Sequence, residues 1–126
     1  MNVTNTIETF KIFLNKQINS LAMTNPLISF SKPLITRVIN NNLYKANGFL
    51  SMLADSNGEI DVQSLIPEMI QSVMSTRPFV YHTEFLGDLE IGGGFIKMNI
   101  PMTNNQIVLG KTDLDTLKDL FINKEV

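Results

Sequence analysis

Alternation of apolar and polar residues over positions 79–109 constrains this chain more than any other feature. Phe79, Tyr81, Thr83 and Phe85 alternate with Val80, His82 and Glu84, the period of two that strands with one buried face require. Leu89 and Ile91, then Ile96, Met98 and Ile100, then Ile107 and Leu109 continue the pattern. The connectors Leu86-Gly87-Asp88, Gly92-Gly93-Gly94 and Thr103-Asn104-Asn105 have the Gly and Asn content that hairpin loops use for positive φ. Four strands in an antiparallel meander are predicted. One face of such a sheet is apolar and needs a cover, which helices before and after it in sequence can supply. Pro101 stands against a long third strand, because a central strand needs its N–H donors; that strand ends near Ile100 or bulges there.

Residues 5–23 read as the first helix, with Asn5 as cap and Glu8 completing a capping box. Ile7, Phe10, Leu14, Ile18 and Leu21 fall within an arc of about 80° and form its core stripe. Ile12 projects about 140° away from Ile7, and Phe13 lies at the stripe's edge; these two are candidates for a second contact surface. Thr24-Asn25-Pro26 breaks the helix. A long second helix over residues 31–53 is predicted, capped by Ser31 with Pro33 in its first turn. Its apolar residues spread over an arc of about 180°, so it is expected to be the most buried helix. Residues 64–75 form a third helix and Thr112 caps a fourth, with Leu114, Leu117, Leu120 and Phe121 facing inward.

The fold class is therefore α+β in two layers: a four-stranded antiparallel meander covered on one face by three N-terminal helices and one C-terminal helix. With 126 residues the chain suits one domain, residues 1–126, divided at Thr76-Arg77-Pro78 into a helical half and a half holding the sheet and the last helix.

Composition narrows the function classes. No cysteine is present, which removes disulfides, thiolate metal sites and thiol nucleophiles. The net charge of -2 gives no overall basic footprint for nucleic acid. No apolar run reaches the 18 or so residues of a membrane span, and no signal-peptide pattern opens the sequence, so a cytoplasmic or virion-borne protein is expected. Charged residues make up only 17%, against about 25% in an average domain, which favours a chain that lives in an assembly. Phosphate loops, dinucleotide fingerprints and nucleophile elbows are missing. Asp55-Ser56-Asn57-Gly58-Glu59-Ile60-Asp61 is set out of register for a calcium loop and reads as a polar interhelical turn.

Polar chemistry converges at one place. A three-residue loop at 86–88 pairs Thr83 with Ile91 and puts Glu84 opposite Glu90; a four-residue loop at 92–95 pairs Glu90 with Lys97. Glu84, Glu90 and Lys97 then form a row beside His82, the one histidine. As an active site the row is a metal or acid/base pair; as a plain surface it is a solvated or partner-facing sheet. The main expectation is a non-enzymatic interaction or assembly module, a small structural protein of virion or phage type, binding a protein partner or itself as a homo-oligomer. Its partner-binding residues are Ile12, Phe13, His82, Glu84, Glu90 and Lys97, and it needs no cofactor. The alternatives are a carrier of a small apolar ligand in a groove lined by Met52, Met69 and Met74, and a metal-dependent enzyme on the polar sheet face.

Overall fold

A computed structural model of the chain describes residues 1–84 and 86–123; the expected inward placement of Phe85 lies outside them. Helix α1 (Val3–Ala22) has its cap three residues earlier than the sequence predicts. Asn2, rather than Asn5, is its cap: the Asn5 N–H donates to Asn2 Oδ1 at 2.7 Å. Thr6 and Thr9 are buried on α1, and each hydroxyl is satisfied by donating at 2.8 Å to the carbonyl four residues back.

The predicted second helix also begins early and is broken. Helix α2 (Pro26–Leu43) leads through a 3-10 turn (Tyr44–Ala46) into α3 (Asn47–Leu53). Asn25 sets the start, its Oδ1 accepting from the Leu27 and Ile28 N–H groups, with Pro26 in the first position. Pro33 consequently sits inside α2. The stretch is not the most buried one. Ile28, Ile35, Ile39, Leu43, Ala46 and Leu50 are covered, while Leu27, Phe30, Leu34, Phe49, Met52 and Leu53 are exposed. The reason is its position: α2 packs chiefly on α1, so only one side of a broad apolar arc finds a cover.

Helix α4 (Val62–Ser75) is capped by Asp61, which accepts from the Ser64 N–H. The turn before it uses its carboxylates structurally. Asp55 Oδ1 accepts from the N–H groups of Asn57 and Glu59, and Glu59 pairs with the Met1 ammonium at 2.8 Å.

The sheet is the predicted meander, with order β1 (Phe79–Thr83), β2 (Gly87–Gly92), β3 (Phe95–Asn99) and β4 (Gln106–Leu109). β3 ends before Pro101, which lies in a turn closed by the Ile100 N–H donating to Asn105 O at 2.9 Å; Met102 takes a positive φ there. The triple-glycine turn does more than join β2 to β3. The Gly93 and Gly94 N–H groups donate to the carbonyls of Thr76 and Val73, so the hairpin caps the end of α4. Gly92 permits this approach: it has a φ of +122°, and a Cβ there would sit 2.6 Å from Arg77 O.

Helix α5 (Lys111–Ile122) follows. Its cap is Gly110, not Thr112, and the Asp113 carboxylate reaches back to accept from the Gly110 N–H at 3.1 Å. Helix α4 packs on β2 and β3, α5 packs on β4, α4 and α1, and α2 lies on α1. Met98, Ile107 and Leu109 from the sheet meet Phe13, Leu14, Val73, Leu114, Leu117 and Phe121 in one core. The rings of Phe10 and Phe121 join edge to face at 4.8 Å between centroids.

Candidate functional site

Three places are candidates for function: the outer face of the sheet, a cavity beneath its inner face, and the outer side of the α1–α2 hairpin.

On the outer face the second hairpin has the predicted register, with Ile91 paired to Ile96 and Glu90 to Lys97. The first does not. Thr83 pairs with Gly87 and Val80 with Glu90, so the expected opposition of Glu84 and Glu90 is corrected. The cause is a tighter turn. The Leu86 N–H donates to Thr83 Oγ1 at 2.9 Å, the Thr83 hydroxyl donates to Gly87 O at 2.7 Å, and Gly87 supplies a positive φ. This moves the partner of Thr83 from residue 91 to residue 87. An even shift keeps every residue on its predicted face, so polarity alone could not tell the two registers apart.

The resulting outer face carries the row Val80, Glu90, Lys97 and Val108. Lys97 Nζ lies 3.6 Å from Glu90 Oε2. In the next row His82 Nδ1 is 2.6 Å from Asp88 Oδ1, with both side chains more than half exposed. Glu84 is exposed in the turn after β1. Among the described residues no three His, Asp or Glu side chains come together to hold a metal. Sequence reasoning missed Asp88 as the partner of His82, since the register it assumed placed Asp88 in a loop.

Beneath the inner face is a cavity of about 490 Å3, lined by α1, α4, α5 and the first three strands and by Leu109 of β4. Its walls are apolar apart from Ser72 and Thr76. Those two residues and Phe79 are exposed, which marks the mouth beside the β1 edge. Of the three methionines expected to line a groove, only Met69 is in this wall. Met52 is 83% exposed, and Met74 lies at the triple-glycine turn, its sulfur 3.8 Å from where a Cβ on Gly94 would be. Phe13 is 1% exposed and lines the cavity, so its edge position on α1 serves the interior. Ile12 is exposed.

The hairpin has the largest apolar exposure. Met23 (86%), Leu27 (72%), Phe30 (89%) and Leu34 (51%) all face outward. Leu27, Phe30 and Leu34 recur at intervals of three and four and therefore share one side of α2. Of these only Leu34 belongs to the helix that the sequence predicts, and the broad apolar arc of that helix does not reveal which part of it is covered.

No helix of the described residues is long and apolar enough to cross a membrane. No family model, curated protein or solved structure matches this chain.

Proposed function

We propose that the protein is a non-enzymatic interaction and assembly module, acting by self-association or by binding a protein partner. One observation carries this reading: α2 has Leu27, Phe30 and Leu34 on a side left exposed among the described residues. Single exposed apolar residues are ordinary. Three on one helix side, with Met23 beside the start of that helix, form a patch of the kind that marks interaction sites. The outer sheet face, with His82, Glu90 and Lys97, the adjoining turn residue Glu84, and exposed Ile12 are the further surfaces of the module. A short, cysteine-free, Asn-rich and Ile-rich chain suits a small structural protein of a virus or phage, found in the cytoplasm or the virion. Light scattering across concentration, with a pull-down from the source, is expected to show self-association or a captured protein. A strict monomer with no partner would refute the reading.

A second reading is favoured by the cavity. Its volume and apolar wall suit a small apolar ligand, making the chain a carrier. Native mass spectrometry of gently purified protein is expected to show an added mass that a Leu117→Trp substitution, filling the cavity, removes. Bare protein that also fails to take up an added apolar dye would set the carrier reading aside.

A further inference from the structure

We infer that copies of this chain associate head to tail, the outer side of α2 on one copy seated against the outer face of the sheet on the next; this rests on the self-association reading above. The two surfaces lie at opposite ends of the molecule. The sheet carries α4 and α5 on its inner face, α1 joins them, and α2 rides on α1. Among the described residues, nothing covers the outer side of α2 or the outer face of the sheet.

Charge is divided unequally along the sequence as well. Of the ten Lys and Arg and twelve Asp and Glu, residues 1–54 hold Lys11, Lys16, Lys32, Arg37 and Lys45 against Glu8 alone, a net of +4. The remainder holds five basic and eleven acidic residues, a net of -6. Residues 9–54 contain no carboxylate side chain at all. The near-neutral total therefore conceals a basic segment from α1 to α3 and a net acidic remainder. A two-fold contact of α2 with α2 would bring two basic hairpins together, whereas a head-to-tail contact sets the basic hairpin of one copy against the net acidic, sheet-bearing half of another.

The receiving face has both kinds of contact that the helix offers. Val80, Phe95 and Val108 are about half exposed on it, available to Phe30 and Leu34. Glu90, 3.6 Å from Lys97, stands between Val80 and Val108 and is the acidic group for Arg37, which is exposed on the side of α2 that carries Phe30 and Leu34. Strand spacing and rise make the four-stranded face roughly 19 by 17 Å, about 320 Å2 per copy and well below the roughly 800 Å2 per partner of a stable interface. The contact is therefore weak and becomes populated only at high concentration. Because the two surfaces differ, such contacts close into rings or continue as filaments.

Two variants isolate the two surfaces. Phe30→Glu with Leu34→Glu spoils the helix side and leaves the sheet intact. Val80→Lys adds a cation to the sheet face directly opposite Glu90, where the fold tolerates it, and leaves α2 intact. Wild-type protein in low salt is expected to sediment as species that grow past the dimer with concentration. Salt at about 0.5 M, where the Debye length is about 4 Å, returns it toward monomer. Each variant alone, with unchanged circular dichroism, is monomeric, and the two mixed form a one-to-one complex that grows no further. A closed wild-type dimer indifferent to salt and to Val80→Lys would overturn the head-to-tail contact and leave self-association standing. A wild-type monomer up to roughly millimolar concentration would overturn both. A wild-type monomer that co-floats with phosphatidylserine-containing vesicles would assign the basic hairpin to an anionic bilayer instead.

Discussion

Helices α5 and α2 are built from similar apolar residues and spend them differently. α5 buries Leu114, Leu117 and Phe121 and leaves no large apolar side chain exposed; its outer side is Lys, Asp and Thr. α2 buries Ile28, Ile35, Ile39 and Leu43 and exposes Leu27, Phe30 and Leu34. The amphipathic pattern of α5 is what one packed face requires. The second apolar side of α2 is surplus to the fold, and a surplus of that kind is explained by a contact outside the chain.

Substitutions sharpen this contrast in order of effect. Phe121→Ala in α5 removes a fully buried ring and is expected to cost about 3–5 kcal/mol of stability in denaturant unfolding. Ile35→Ala on the covered side of α2 is expected to cost somewhat less, about 2–4 kcal/mol, since it too empties a buried site. A cost near zero at Ile35 would mean that α2 is not held on α1 as described. Asn25→Ala leaves the Leu27 and Ile28 N–H groups without their acceptor and is expected to lower the thermal midpoint by an amount matching about 1 kcal/mol. Phe30→Ser is expected to change monomer stability by no more than about 0.5 kcal/mol while weakening association. Should it destabilise the dilute monomer as Ile35→Ala does, the two sides of α2 would not differ and the comparison would fail.

The meander, its strand order and the faces of its described residues were legible in the sequence because a period of two and glycine-marked turns specify them locally. Helix starts were less so: Asn2 and Asn25 compete with Asn5 and Ser31 as caps, and only the surrounding packing chooses. The first hairpin register was not legible, since pairing Thr83 with Gly87 or with Ile91 keeps the same residues inside. For the candidate surfaces, His82, Glu90 and Lys97 share the outer face as their alternation requires. The pairing of His82 with Asp88 depends on the register. The cavity depends on how α1 meets the sheet, a long-range feature with no local sign, so Met69 was found there and Phe10, Leu14 and Leu117 were not. The acid-free run of residues 9–54 is visible in the sequence, but its meaning depends on α2 and the sheet lying at opposite ends.

The absence of cysteine gives a direct test of that arrangement. A spin label on an Asn41→Cys variant, at an exposed position of α2, is mixed with an unlabelled, nitrogen-15-enriched copy, and the broadening of amide signals in the enriched copy is recorded. Broadening centred on Val80, Glu90 and Val108 is the expected result. Broadening centred on α2 itself, or none at concentrations where the protein associates, would contradict the head-to-tail contact.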